Sequence, residues 1–287
     1  MYLIAMKKYL LLITALLTLQ TAQAQFTVSA NQHYILKDGK PFFWMGDTAW
    51  ELFAKLTREE VDTYLKTRAR QGFTVIQAVV AGLDEVSTPN VYGDVPLIDN
   101  DPTKPNEKYF AHVDYVLNKA SAYNLNVALF PTWAAGPERF TEANATVYGE
   151  WIAKRYKNRT NIIWVLGGDH PPTDQPVAVW RAMGHAIMKA TNGKAMISYH
   201  AWPNKLGSAE WFRNESWFTF NIFQNGHCRD EPVYDKMLAS YNALPAKPEI
   251  DAEPIYEDHP VCFNVKDLGT SSPYDVRKYA YLDLFAG

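Results

Sequence analysis

Seven short runs rich in β-branched and aromatic residues, each followed by a stretch of helical periodicity, constrain this chain more than any other feature of its sequence. The runs are Pro41–Gly46, Phe73–Val80, Asn126–Pro131, Asn161–Gly167, Lys194–His200, Trp217–Gln224 and Glu249–Glu253. Strand and helix signals that alternate in this way predict parallel strands joined by helical crossovers. Several runs are apolar almost throughout, as in Asn161-Ile162-Ile163-Trp164-Val165-Leu166, which suits a sheet covered on both faces.

The helices are marked at their ends as well as along their faces. Thr57 and Glu60 have capping-box spacing ahead of Val61, Tyr64 and Leu65, and Gly72 predicts the stop. Further helices are predicted over His112–Tyr123, where Val113, Val116, Leu117 and Ala120 share a face, and over Thr141–Lys157, Pro176–Thr191, Asp230–Ala243 and Tyr274–Phe285. No repeat, low-complexity tract or long linker divides the series, so one domain is expected.

A closed barrel and an open doubly wound sheet both satisfy this pattern, and the strand ends decide between them. An open dinucleotide-binding sheet calls for a Gly-x-Gly-x-x-Gly turn after its first strand, and the sequence has none. Instead, polar or aromatic residues follow the C-terminal end of almost every run: Asp47 and Trp50, Gln77, Trp133, Asp169 and His170, His200, Gln224 and His227, then Glu253. The βα loops of a barrel converge over the axis at that rim, which is where a barrel keeps its active site. The expected fold is α/β, a (β/α)8 TIM barrel that is incomplete, its eighth strand–helix unit absent. A gap is therefore expected in the wall between the first and seventh strands.

Residues 1–24 read as a secretory signal peptide, with Lys7-Lys8, the apolar run Tyr9 to Leu19, and Ala22-Gln23-Ala24 as the cleavage site. The barrel domain then occupies residues 25–287, exported by a bacterial-style route to the periplasm, cell surface or medium. No later run approaches the ~20 apolar residues of a membrane span. The formal charge of −3 provides no basic stripe for phosphates, so nucleic acid is not an expected partner. Two cysteines, Cys228 and Cys262, could pair across two loops or stand as separate buried thiols. Neither their spacing nor their neighbours suggest a zinc site, and nothing calls for a cofactor.

Two segments carry the chemistry. In Trp164-Val165-Leu166-Gly167-Gly168-Asp169-His170, two glycines let the backbone turn sharply and release an acid at a strand end. In Glu249-Ile250-Asp251-Ala252-Glu253, strand alternation predicts Asp251 and Glu253 on one side, with Glu253 nearer the rim. Carboxylates from two strands of one barrel can flank a glycosidic bond, one protonating the leaving oxygen while the other attacks the anomeric carbon. The plain structural alternatives are an N-cap for Asp169 and a salt-bridged rim residue for Glu253. Their joint position, at the ends of the fourth and seventh runs, favours the catalytic pair.

The segments Phe43-Trp44-Met45-Gly46-Asp47-Thr48-Ala49-Trp50, Gly167-Gly168-Asp169-His170, Tyr199-His200, Gln224-Asn225-Gly226-His227 and Glu253-Pro254-Ile255-Tyr256-Glu257 resemble glycoside hydrolase family 140, the apiosidase-like barrels. The resemblance runs from about Phe26 to the end, with the motifs in order at the predicted strand ends. It implies an apiose-containing side chain of the pectin rhamnogalacturonan II as substrate, and Asp169 and Glu253 as the catalytic pair. Members of this family continue into an eighth strand and a further β domain, so the resemblance also implies C-terminal truncation. In the wider clan of retaining barrel glycosidases the acid on the fourth strand is usually a Glu after Asn, whereas this sequence has Gly168-Asp169.

Around the pair, Asp47, Trp50, Gln77, Trp133, His170, His200, Gln224, His227 and Tyr256 are candidates to bind the sugar or orient the acids. Tyr256 is placed to hold Glu253 ionised by a hydrogen bond. Acids on the fourth and seventh strands suggest a carboxyl separation below ~6.5 Å, the retaining arrangement. Two rivals remain: a barrel hydrolase with a metal held by His170, His200 and Asp169 or Asp251, and a carbohydrate-binding protein without turnover.

Overall fold

The computed structural model describes residues 26–82, 87–133, 139–169 and 177–287. The leader-like segment, residues 1–24, and His170 lie outside these. Strands β1 (Phe26–Val28), β2 (Ile35–Lys37) and β3 (Lys40–Pro41) form a small antiparallel sheet of their own. β4 (Gly46–Thr48) begins the barrel wall and is followed by α1 (Leu52–Lys55) and α2 (Arg58–Arg70). The series continues with β5 (Val75–Val79), α3 (Glu107–Ala122), β6 (Asn126–Phe130), α4 (Glu142–Tyr156), β7 (Ile162–Gly167), α5 (Val177–Ala190) and β8 (Ile197–His200). It ends with α6 (Ala209–Phe212), β9 (Asn221–Gln224), α7 (Val233–Tyr241), β10 (Glu249–Glu253), α8 (Val265–Leu268) and α9 (Pro273–Ala286).

β4 to β8 pair in parallel in chain order, and β9 pairs in parallel with β10. Thr219 joins the two groups: its N–H donates to Ile197 O at 2.9 Å, and its Oγ1 accepts from Ile197 N at 2.7 Å. The strand alternation sorts residues between two cores. Ile76, Val127, Leu129, Trp164, Leu166, Ile197 and Tyr199 pack outward against the helices. Val75, Val79, Ala128, Phe130, Ile163, Val165, Met196, Phe220, Ile222 and Ala252 fill the axis, where they meet Phe26 and Ile35 of the hairpin. Apolar side chains on both faces of every central strand are what a barrel wall requires, and the predicted TIM-barrel architecture is the observed one.

The helix boundaries follow local chemistry. Thr57 accepts from Glu60 N, and Glu60 accepts from Thr57 N at 2.8 Å, so the predicted capping box forms at α2. Gly72 takes the left-handed conformation (φ 88°) that returns the chain to β5.

The first strand departs from expectation. Of the run Pro41–Gly46 only Gly46 enters the wall, and Phe42 and Trp44 pack into the axial core. Their aromatic area is used to close the barrel floor, a demand that a strand propensity cannot distinguish from pairing. Among the described residues nothing pairs with the outer edges of β4 and β10, so the seven-strand wall has the expected seam. Gln77 spans it: its amide nitrogen donates to Ala252 O of β10 at 2.6 Å and to Thr48 Oγ1 of β4 at 3.3 Å.

β10 contains a bulge that overturns the expected alternation. Asp251 lies opposite Phe223 and Glu253 opposite Gln224, leaving Ala252 as the extra residue. Asp251 therefore faces outward, where it accepts from Asn225 Nδ2 at 2.9 Å and meets Asp283 of α9, while Glu253 is turned inward. Burial, together with the charge of Asp251 and their shared hydrogen bond, raises the Asp283 carboxyl well above the usual range, so the pair holds a proton at neutral pH.

This pair makes stability depend on pH with a defined sign. The Asp283 carboxyl ionises near its ordinary value of 3.8 in the unfolded chain and later in the fold. The contribution is thus fully present below that value and lost as pH rises through the folded pKa. Asp283→Asn keeps the shape of the protonated acid and is expected to raise Tm by about 2–4 °C at pH 8. The gain should shrink toward pH 4 in thermal melts; an equal shift at both pH values would refute the shared proton.

Candidate active site

The site forms at the C-terminal rim, where four strands deliver polar side chains to one place. At the end of β7, Gly167 adopts φ 80°, and a Cβ there would come within 2.6 Å of His200 O. A Cβ on Gly168 would sit 2.7 Å from the indole of Trp133. Both glycines are therefore required by close approach, and they release Asp169 beside β8 and β9.

Asp169 Oδ1 accepts from Gln224 Nε2 at 2.9 Å and lies 3.8 Å from His200 Nδ1. Its side chain is 40% exposed, whereas that of Glu253 is 4% exposed. One oxygen of Asp169, one of Glu253 and a nitrogen of His200 all lie within 4.8 Å of one another. His200 is fully buried on the inward face of β8, its Nε2 3.1 Å from Glu253 Oε2. Its two ring nitrogens thus face the two carboxylates separately.

Glu253 is surrounded by donors. Tyr256 donates its hydroxyl to Oε1 at 2.6 Å, and His227 Nε2 lies 3.5 Å from the same oxygen. Burial alone would raise this carboxyl; the Tyr256 hydrogen bond and the close approach of His200 and His227, with the charge of His200, outweigh it and hold the group at about 2. The magnitudes agree with that outcome. Burying an ion costs several kcal/mol after relaxation, and each hydrogen bond to a charged group returns about 1.5–3 kcal/mol. A single hydrogen bond does not offset that cost, so the nearby imidazoles are needed as well to keep Glu253 ionised.

Aromatic rings wall the site beside His200. Trp50 lies edge-on to His200 (5.7 Å between centroids) and 4.8 Å from Trp133, and Phe130 closes the floor 5.8 Å from His200. On the far side, His227 packs against Tyr256 and His259, each 4.5 Å away, and against Phe263 at 5.5 Å. Cys228 and Cys262 form a disulfide, so the pairing alternative holds for them.

The structure thus gathers Asp169, Glu253, His200, Gln224, His227, Tyr256, Trp50 and Trp133 into one site. Asp47 is not part of it. As the outward residue of β4 it accepts from Tyr64 Oη at 2.6 Å and pairs with Arg68, which fastens α2 to the wall. Gln77 points inward but is spent on the seam below the carboxylates. Asp251 is turned to Asn225 and Asp283, away from the metal set in which it was a candidate. His259 and Phe263 were missed from sequence; the signal was Cys262, which ties their loop to Cys228 next to His227. The cluster of Asp169, His200 and Glu253 is where a metal would bind among the described residues. One nitrogen of His200 lies within 4.8 Å of an oxygen of each carboxylate, so the three side chains offer three donors, the number that an open catalytic zinc site takes from the protein.

Known proteins place this chain. Residues 29–287 match the model of the apiosidase-like catalytic domain. A glycoside hydrolase family 5 crystal structure from Bacteroides vulgatus superposes with TM-score 0.83 at 32% identity, over 92% of this chain and 60% of that one. A second structure, described as a glycoside hydrolase, superposes with TM-score 0.84 at 32% identity, over 93% and 64%. The chain thus spans less than two thirds of the length of either. The catalytic domain of an endoglucanase from Thermobifida fusca shares the fold, with TM-score 0.60 at 14% identity over 92% of this chain and 82% of that one. No curated protein matches the chain. With its barrel and its rim of carboxylates, histidines and tryptophans, the chain belongs to the apiosidase-like catalytic domain family.

Proposed function

We propose that this chain is a retaining glycoside hydrolase of the family 140 type that acts on apiose-containing side chains of rhamnogalacturonan II after export from the cell. The observation that carries this reading is the pairing of a buried, ionised Glu253 with a half-exposed Asp169, their nearest oxygens within 4.8 Å. That spacing leaves too little room for a water between Glu253 and the sugar, which favours direct attack. The family membership and the leader-like residues 1–24 support the substrate class and the export.

In this mechanism a Glu253 oxygen attacks the anomeric carbon while Asp169 donates its proton to the leaving glycosidic oxygen. A glycosyl ester on Glu253 forms as the glycosidic bond breaks. Asp169, now ionised, takes a proton from a water that attacks the same carbon, and the sugar leaves with its configuration retained. Tyr256 and the two histidines keep Glu253 ionised before attack and make it a good leaving group afterwards. Gln224 orients Asp169.

Glu253→Gln is expected to abolish release of reducing sugar from rhamnogalacturonan II with an unchanged circular dichroism spectrum; activity above a few per cent would refute the role. Asp169→Asn should cost about 10²–10⁴-fold on the polysaccharide and far less on a 4-nitrophenyl glycoside, whose leaving group needs no proton. Equal losses on both would remove Asp169 as the acid. Proton NMR of the first-formed product should show the retained anomer, and the inverted one would make Glu253 a base acting on water.

Tyr256→Phe removes one donor from the Glu253 carboxylate and so raises its pKa. The acidic limb of the kcat/KM profile should move up by about one to two pH units. A limb at its original position would mean that the hydroxyl does not support the ionised form.

A further inference from the structure

The Glu253 carboxylate has two sides, each facing a different set of side chains. Oε2 faces His200, and through that ring Asp169. Oε1 faces Tyr256 and His227, and behind His227 stand His259 and Phe263, whose rings meet edge to face at 5.0 Å. Phe263 is 76% exposed at the rim, so its ring is open to a ligand. It is nevertheless held firmly. The Cys228–Cys262 disulfide joins the residues next to His227 and Phe263, and Cys262 N donates to His227 O at 2.8 Å. Cys262 and Phe263 both take left-handed backbone conformations (φ 50° and 59°), uncommon for side chains of their size. His259 Nδ1 lies 2.9 Å from Pro260 O; since a carbonyl only accepts, Nδ1 carries a proton, and in that tautomer Nε2 is the ring's acceptor.

We propose that Phe263 and His259 form a sugar-binding platform on the glycone side of the scissile bond, with Phe263 covering the apolar face of the ring and His259 accepting from a hydroxyl. The inference rests on the reading of Glu253 and Asp169 as the catalytic pair. Asp169 faces the leaving group, so a surface on the opposite side of Glu253 meets the sugar that is transferred. A flat aromatic face next to imidazole and phenol groups matches a sugar, which has an apolar face and a rim of hydroxyls. The disulfide is then the fastening that keeps the platform in register with the nucleophile.

Calorimetric titration of rhamnogalacturonan II into the Glu253→Gln variant tests this without turnover. Adding Phe263→Ala should weaken binding about tenfold, Phe263→Trp should restore most of it, and Cys228→Ser with Cys262→Ser should weaken it comparably. An unchanged affinity in the Phe263→Ala variant, or no binding by Glu253→Gln itself, overturns the platform. With Glu253 intact, Phe263→Ala should raise KM for both the polysaccharide and a 4-nitrophenyl apioside; a rise confined to the polysaccharide puts Phe263 on the leaving-group side and overturns the assignment. Binding that depends on Phe263 in a protein without hydrolysis would refute the catalytic reading and leave the platform standing. Hydrolysis with KM unaffected by Phe263→Ala would do the reverse.

Discussion

The buried negative charge of Glu253 is the constraint around which this barrel is arranged. An ionised carboxylate in a site walled by tryptophan and phenylalanine is tenable only if donors reach both its oxygens. His200 Nε2 stands 3.1 Å from Oε2, and Tyr256 donates to Oε1 with His227 Nε2 3.5 Å away. These donors come from β8, from the loop after β9 and from the turn after β10, so the charge can be satisfied only when three strand ends are in register. The same requirement explains why polar residues at this rim are buried while the wall below them is apolar.

The bulge in β10 is the local device that makes the arrangement possible. Regular alternation would have sent Glu253 outward with Asp251, into a layer already occupied by Asn225 and α9. One extra residue, Ala252, turns the acid inward and leaves a carbonyl for Gln77 to hold across the seam between β4 and β10. The seam and the nucleophile are therefore supported by the same stretch of chain. On the opposite strand, Gly167 and Gly168 perform the comparable task for Asp169, since any side chain there would collide with His200 or Trp133.

Much of this was legible in the sequence where the information is local. The Thr57–Glu60 box, the Gly72 stop and the apolar run Ile162–Leu166 are interactions within a few residues, and they formed as written. His200 and Gln224 lie on the inward phase of their strands, in step with Met196 and Ser198 before the one and Phe220 and Ile222 before the other, so period-two reading places them correctly. Asp47 was misread because β4 has only three residues, too few for its phase to be deduced, and its true partners Tyr64 and Arg68 lie a helix away.

The sequence by itself determined the order of strands and helices, the two-sided burial that makes a barrel, and the chemical types of side chain offered at its rim. Only the tertiary structure decided which way Glu253 faces, that Asp251 pairs with Asp283, that Cys228 meets Cys262, and that Phe263 stands beyond His227. Each of these depends on register between segments far apart in the chain. Because strand side chains alternate, a shift of a single residue exchanges the two faces, and no local propensity records such a shift.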